Sequence, residues 1–237
     1  MPRTPYAALL TAALFSTACL DTSGSQVVTL TFDFSDPALG LGDGWTAGAA
    51  DVPADRVSEV DLIGGYGGLP DPFATFSGIR ESGTSIEGSL FVFHKKWVQS
   101  PWGPGTQFRV LVDMAIVTSQ HAECTTGPGP NVIIKAGAAS EEPVVTTDGQ
   151  GILRFSLDKG TGASGGRFVQ LGDIRNPLGG CPEEGTWGAR GTIRANQVET
   201  LTVDALGGFW IYFGTQSSYN GRHDIYFTQI RLGLDQL

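Results

Sequence analysis

The chain has 237 residues, and its 24 acidic side chains against 15 Lys and Arg give a formal net charge of −9 at pH 7. This balance lacks the cationic footprint of proteins that bind nucleic acid, so the sequence argues against a nucleic-acid partner. The length suits one large all-β domain or two small ones, and no apolar run beyond residue 18 is long enough for a membrane-spanning helix.

The first eighteen residues have the order of a secretory signal. A single basic residue, Arg3, precedes the largely apolar run Ala7–Phe15, and the small residues Ser16–Ala18 follow it. We therefore interpret residues 1–18 as a signal peptide that is removed from the mature chain.

Cys19 stands directly after the expected cleavage point. The segment Leu14–Cys19 resembles a bacterial lipobox, although Ser16 stands where the lipobox usually has Leu. The resemblance implies that the Cys19 thiol takes a diacylglyceryl group and that membrane lipid is the partner of this anchor. Ordinary secretion after cleavage behind Ala18 is the alternative.

Residues 19–26 form the lipidated cysteine and a short polar tether, which would keep the following domain near its membrane. Lipoproteins retained in the inner membrane usually have Asp directly after the cysteine, whereas here Leu20 follows and Asp21 comes one place later. By this resemblance we expect a lipid-anchored protein of the bacterial cell envelope, at the outer membrane. A secreted or periplasmic protein is the alternative.

Residues 27–237 are interpreted as one β-sandwich domain because their dominant apolar period is two. Phe108–Val117 shows the alternation over the longest stretch. The predicted strands are 28–34, 57–63, 73–79, 89–97, 108–117, 132–138, 153–157, 167–172, 201–203, 209–214 and 224–232. The Gly- and Pro-rich segments between them predict turns at 40–48, 64–72, 101–105, 127–130, 160–166 and 176–191. The pattern predicts a single antiparallel β-sandwich of jelly-roll type with about ten to twelve strands.

The end of the chain supports a resemblance to known sandwiches. Gly208–Gly214 followed by Asn220–Leu232 resembles the closing hairpin of jelly-roll domains of the carbohydrate-binding, galactose-binding-like type. In those domains the first strand lies beside the last, which here implies pairing of 27–34 with 225–232.

The mature chain as a whole resembles an uncharacterised family of bacterial secreted or lipid-anchored proteins. The segments that carry this resemblance are Phe32–Ser35, Ser89–Lys96, Ile134–Pro143, Leu157–Gly160 and Phe209–Thr215. The resemblance implies a fold and a compartment, and no known activity.

The two remaining cysteines, Cys124 and Cys181, lie in loop-like sequence and are expected to form a disulfide in an oxidising compartment. Such a bridge would stabilise by roughly 4 kcal/mol on the loop-entropy model. Two free buried thiols, or a zinc site completed by His121 with Glu123 nearby, are the alternatives.

No residue is assigned a catalytic role. Ser164 stands in a G-x-S-x-G pattern at 162–166, but a glycine-rich turn fits that sequence better than a strand-to-helix elbow. His94 is interpreted as a polar position at a strand end and His223 as a turn residue. An enzyme acting on polysaccharide would need a pair of carboxylates flanking a cleft, and none can be placed from the sequence.

Asp33 and Asp224 form a candidate site for a structural calcium ion. If the first and last strands are neighbours, these two carboxylates can approach each other, and carboxylate oxygens suit calcium. Two solvated acids at strand edges are the alternative.

Five aromatic residues in Gly- and Pro-rich loops form the candidate ligand surface, with glycan as the expected ligand. They are Trp45, Tyr66, Trp102, Trp187 and Tyr219. The alternative is that they pack the loops onto the sandwich. The sequence therefore predicts a lipid-anchored binding or accessory module of the envelope, with a polysaccharide-acting enzyme or a purely structural envelope protein as alternatives.

Overall fold

The computed structural model describes residues 27–36, 44–160, 167–182, 186–196 and 200–237. The expected signal peptide (1–18), the lipidated Cys19 with its tether (19–26) and Ser164 lie outside the described residues.

The described residues form fifteen β-strands, a 3₁₀ helix over Ala54–Val60 and one short α-helix, α1, over Pro128–Asn131. The strands are β1 (Val27–Asp33), β2 (Thr46–Ala50), β3 (Val52–Pro53), β4 (Ile63–Gly68), β5 (Ser77–Ser85), β6 (Leu90–Gln99), β7 (Gln107–Thr118), β8 (Val132–Ala139), β9 (Val145–Thr147), β10 (Ile152–Phe155), β11 (Phe168–Asp173), β12 (Gly188–Asn196), β13 (Leu201–Thr202), β14 (Gly208–Ser217) and β15 (Gly221–Gln236). Neither helix is long and apolar enough to cross a membrane.

Two sheets, in which every strand pairing is antiparallel, build the fold. The large sheet has the order β12-β7-β15-β5-β4, with β1 also paired to β15 and β13 to β7. The second sheet has the order β11-β8-β14-β6-β2. The predicted antiparallel β-sandwich is confirmed, and β1 pairs with β15 in a register that places Leu30 opposite Leu232.

The main core fills the space between the two sheets, as the period-two alternation predicts. Phe108 and Val110 of β7 point inward, as do Phe209, Ile211 and Phe213 of β14. Each such side chain contributes about 1.5–3 kcal/mol by leaving water.

A third layer covers the outer face of the second sheet. The small sheet β3-β10-β9 lies over it, and Phe155 of β10 contacts the rings of Phe91 (5.2 Å), Phe93 (4.7 Å) and Tyr212 (6.0 Å). Both faces of β6 and β14 are therefore buried along part of their length. The sequence pattern shows that both faces are apolar there, but it does not show what covers the second one.

Two segments differ from the sequence-based expectation. Residues 57–63, expected as a strand, largely form the 3₁₀ helix, and the expected turn 64–72 contains most of the edge strand β4. Glycines make up four of the six residues of β4, so this strand carries almost no side chains from which a period could be read. Similarly, β12 begins inside the expected turn 176–191 and runs on to Asn196.

The expected disulfide is present. Cys124 and Cys181 are bonded, with their Cα atoms 4.9 Å apart, so neither sulfur is a thiolate that could serve the alternative zinc site. The bridge fastens the loop after β7 to the loop between β11 and β12. Asn176 supports the same contact, because its side-chain amide donates to the carbonyl oxygen of Thr118 at 2.7 Å.

Replacing both cysteines by serine should lower the free energy of unfolding by about 4 kcal/mol, because the bridge closes a long loop in the unfolded chain. The fold should survive, since the main core lies between the sheets and away from this bridge. Urea unfolding of the two proteins measures the difference. An unchanged midpoint would contradict the stabilising role.

Candidate functional site

The two candidate calcium ligands are not brought together. Asp33 faces Gln229 across the β1–β15 pair, whereas Asp224 lies opposite Ser82. Five residues of β15 separate the two positions, which is roughly 16 Å along a strand.

Each of these carboxylates also has its own partners. Asp33 Oδ1 accepts hydrogen bonds from the backbone nitrogen (3.0 Å) and hydroxyl (2.6 Å) of Ser35, and Asp224 is ion-paired with Arg80. Within the ranges that the structure describes, no cluster of three or more His, Cys, Asp or Glu residues could hold a metal ion. The geometry therefore does not support the expected calcium site.

Three of the five candidate aromatic residues pack against side chains of the sandwich. Trp102 packs against Phe108 with ring centroids 5.7 Å apart, and Trp187 packs against Tyr226 at 5.4 Å. Tyr219 lies half-buried against the main core. The packing of these three residues fits the alternative that such aromatics hold the loops onto the sandwich.

Trp45 and Tyr66 do share a surface, because both line a cavity of about 260 Å³ that we call the edge cavity. It lies where β2 and β4, the edge strands of the two sheets, come together. Its lining residues are Gly44, Trp45, Ala47, Gly64, Gly65, Tyr66, Ile79 and His94. Ligand binding by the two aromatic residues stays a prediction.

Gly64 permits the close approach of β4 to β2 that shapes this cavity. A Cβ at residue 64 would lie 2.4 Å from Ala47 Cβ, a distance that real Cβ atoms essentially never show, and 3.2 Å from His94 Cε1, which is a tight contact. The glycine therefore lets β4 pass directly over the ring edge of His94, which forms part of the cavity wall.

Tyr66 presents its ring at the mouth of the edge cavity. The residue is 36% exposed, although its hydroxyl is fixed. That hydroxyl lies 2.5 Å from Ser77 Oγ, and Ser77 in turn donates to the carbonyl oxygen of Phe34 at 2.7 Å. The ring is thus held in one orientation before any ligand arrives.

Trp45 forms the opposite wall and is largely a packing residue. Its ring meets Phe32, Phe34 and Phe213 edge to face, with centroids 5.6, 5.7 and 4.9 Å apart. The indole Nε1 is buried and has no hydrogen-bond partner among the described residues. A buried indole N–H normally finds a partner, so this donor is an unused polar group at the cavity.

Behind the cavity wall lies a buried polar cluster that consists of Glu81, His94, Thr215 and His223. All four residues are at most 2% exposed. Thr215 Oγ1 donates to Glu81 Oε1 at 2.5 Å and lies 2.7 Å from His223 Nε2. When the one hydroxyl proton of Thr215 is donated to Glu81, His223 Nε2–H is the donor to Thr215.

His94 connects this cluster to the cavity. Its Nε2 lies 3.4 Å from Glu81 Oε2, and neither atom has a hydrogen-bond partner within the described part of the chain. The imidazole also stacks on Phe213, with ring centroids 5.2 Å apart. His94 is therefore the only member of the cluster that lines the cavity, and Glu81 lies directly behind it.

Burial favours the uncharged forms of the groups in this cluster. Desolvation raises the pKa of Glu81 well above its usual value, against the opposing hydrogen bond from Thr215. Desolvation also lowers the pKa of His94 to about 3 and, with a smaller effect of Arg222, that of His223 to about 4. Both imidazoles are therefore neutral at pH 7, and burial favours the protonated form of the Glu81 carboxyl group.

The two histidines correct the sequence-based interpretation. His94 was expected at a strand end and His223 in a turn, but both lie within strands and face the space between the sheets. Glu81 and Thr215 were not singled out from the sequence. The cluster residues share the inward face of β5, β6, β14 and β15. That shared face can be recognised only when the strand registers are known.

No protein family and no curated protein sequence matches the chain. Among solved structures, the enzymatically active domain of tailspike protein 4 of bacteriophage CBA120 resembles it at 14% identity and TM-score 0.34, over 81% of this chain and only 19% of that chain. The K1 cleaved adhesin domain of Lys-gingipain from Porphyromonas gingivalis W83 gives 14% identity and TM-score 0.34, over 89% and 98% of the two chains. A structure of carbohydrate-binding modules from the β-sandwich superfamily gives 12% identity and TM-score 0.35, over 90% and 74%. The fold is therefore assigned from the strand pairings, and the site from its own residues.

Acid should destabilise the fold through the two buried histidines. Their pKa values in the folded state, about 3 and about 4, lie below the ordinary 6.5, so the unfolded chain binds more protons below pH 6.5. Their contribution is complete above that pH and should decline toward pH 4 by about 1.4 kcal/mol per pH unit for each histidine. Urea unfolding between pH 4 and 8 measures the slope.

His94→Phe should reduce this acid slope by the contribution of one histidine, about 1.4 kcal/mol per pH unit, while keeping a ring stacked on Phe213. Glu81→Gln is the matched control, because Glu81 acts in the opposite direction. Its raised pKa gives stability below pH 4.5 that is lost as the pH rises through the folded pKa. This loss opposes the histidine slope between pH 4.5 and 6.5, so Glu81→Gln should make the acid slope steeper, whereas His94→Phe makes it shallower. An acid slope unaffected by His94→Phe would contradict this assignment.

Proposed function

We propose that the protein is a lipid-anchored binding module of a bacterial envelope and that its edge cavity takes a sugar ring. One observation carries the proposal. A single cavity is lined by Tyr66, whose hydroxyl is fixed, and by Trp45 and His94, each of which has a buried nitrogen without a partner among the described residues.

The chemistry of these groups matches a carbohydrate. A sugar ring has an apolar C–H face that an aromatic ring such as Tyr66 can cover, and its hydroxyls both donate and accept hydrogen bonds. The indole N–H offers a donor, and the neutral imidazole offers a nitrogen. A volume of about 260 Å³ lies below the roughly 300–1,000 Å³ of pockets that enclose drug-sized ligands, so one ring fits better than a buried chain.

The charge state of the wall favours a neutral sugar. Because His94 is neutral and burial disfavours the charged form of Glu81 behind it, the cavity offers an incoming ligand hydrogen bonds without a counter-ion. An ionised ligand would lose its hydration at this wall and gain no opposite charge in return.

Binding without hydrolysis fits the same geometry. Glycoside hydrolysis uses two carboxyl groups that flank the scissile bond. The cavity-lining residues described above include no carboxylate, and Glu81 lies behind the ring of His94. The geometry of this cavity therefore does not support the alternative that the protein is a polysaccharide-acting enzyme.

Tyr66→Ala should weaken binding of a neutral oligosaccharide about tenfold, which corresponds to about 1.4 kcal/mol. The first step is a glycan array with the purified protein, and isothermal titration then compares variants with the strongest neutral ligand. Phe76→Ala is the matched control, because Phe76 is an aromatic residue that is 50% exposed and does not line the cavity. Equal affinity of the Tyr66→Ala variant, or no neutral glycan bound at all, would contradict the proposal.

The anchor is proposed from the lipobox-like segment alone. Cys19→Ala should move the protein from the membrane fraction to the soluble fraction, because the acyl chains would supply the membrane affinity of an acidic domain. Intact-mass analysis of the native protein should show a diacylglyceryl addition at Cys19. A free N-terminus without acyl mass would favour the secreted or periplasmic alternative.

A further inference from the structure

A second concave surface lies on the outer face of the large sheet, away from the edge cavity. It has a volume of about 590 Å³, and we call it the sheet groove. Its lining residues are Val27, Arg109, Val110, Leu111, Asn196, Gly233 and Asp235. Because Phe108 and Val110 of β7 point into the core, Arg109 and Leu111 point outward, which places the groove on the outer face.

The strand registers define the layout of the groove. Asp235 of β15 lies between Val27 of β1 and Arg109 of β7. One pleat further along, Leu111 lies between Gly233 and Asn196. Four adjacent strands thus contribute two neighbouring rows of residues. The row with Asp235 and Arg109 is charged, and the row with Leu111 is largely apolar.

Gly233 gives the groove its flat floor. A Cβ at this position would meet only side-chain atoms of Leu111, at 3.5–4.0 Å, which is ordinary contact distance. The glycine is therefore not required by crowding, and its effect is to leave the space above the sheet open beside Leu111.

The charged groups of the groove are incompletely paired. Arg109 is exposed and makes no ion pair within the described ranges, even though Asp235 is directly opposite in the strand register. Asp235 Oδ1 is buried and likewise accepts no hydrogen bond from any described residue. On the same face, by contrast, Arg194 binds Asp113 through two contacts of 2.5 and 2.7 Å.

We propose that the sheet groove binds an acidic sugar, a uronic acid residue of a polysaccharide. The Arg109 guanidinium pairs with the sugar carboxylate, and Asp235 accepts hydrogen bonds from ring hydroxyls. Asn196 contributes a further amide, and the apolar face of the sugar ring lies over Gly233 and Leu111.

The combination of groups selects this ligand class. An anion without hydroxyl donors would satisfy Arg109 but would face the unpaired carboxylate oxygen of Asp235. A neutral sugar would satisfy Asp235 and leave Arg109 without a counter-ion. A uronic acid supplies a carboxylate, hydroxyl donors and an apolar face in one ring. The inference is independent of the edge cavity, whose uncharged wall favours neutral sugars.

Isothermal titration of the full-length protein in detergent tests the proposal with three probes, the trimers of galacturonate, glucuronate and mannuronate. At least one should bind, and its methyl ester, which masks the carboxylate, should bind at least about tenfold more weakly. Arg109→Gln should cause a loss of the same size. Gly233→Val should block the groove without changing its charge, because a β-branched residue suits a strand and has room here.

Arg231→Gln is the matched control, since Arg231 is an exposed arginine of β15 that does not line the groove. It should change the affinity less than about threefold, and the melting temperatures of all variants should stay close to that of the parent protein. Failure of all three acidic trimers to bind would overturn the inference. So would an equal loss with Arg231→Gln, which would indicate a general positive field.

The same titrations separate the two sites. Tyr66→Ala should leave the binding of the acidic trimer unchanged, and Arg109→Gln should leave the binding of the neutral ligand unchanged. If Tyr66→Ala weakens the acidic trimer as much as Arg109→Gln does, the trimer is not bound in the sheet groove and the inference is wrong.

Discussion

The organisation of the large sheet depends on the hydrogen-bond ladder of one strand. The sixteen residues of β15 pair with β7 on one side and, in succession, with β5 and β1 on the other. Because every backbone N–H and C=O of a central strand needs a partner, this arrangement fixes the register of three neighbours at once. It also places His223 near one end of the strand, behind the edge cavity, and Asp235 near the other, in the sheet groove.

The inner space of the sandwich is not uniformly apolar. Glu81, His94, Thr215 and His223 lie among large aromatic side chains, where an uncompensated polar group costs free energy. The contacts through Thr215 offset part of that cost, but several nitrogen and oxygen atoms have no partner within the described structure. An apolar replacement set of similar volume would satisfy the packing equally well. The ligand binding proposed for the adjacent cavity would account for the cluster, in line with the general observation that local conflicts in a fold concentrate at functional sites.

Much of the fold could be predicted from the sequence, because its physical basis is local. The alternation of Phe108, Val110 and Val112 identifies a strand without knowledge of any partner, and two cysteines in an oxidising compartment suggest their own pairing. The edge cavity is different. Trp45 and Tyr66 were singled out as aromatic loop residues, but their meeting depends on β4, whose glycines carry no periodic signal. Glu81 and Thr215 are 134 positions apart, and only the facing of the two sheets brings them together.

β1 connects the two concave surfaces, with the sheet groove at its first residue and the edge cavity beyond its last. Val27, at its first residue, borders the sheet groove, while Phe34, just beyond its last residue, contacts the Trp45 wall of the edge cavity. Seven extended residues cover about 23 Å, so β1 acts as a spacer between the two surfaces. If the chain is anchored at Cys19, the sheet groove is the surface that lies nearer to the anchor along the chain. The edge cavity lies one strand length further on. Saccharides of different charge would then be met at different heights above the lipid.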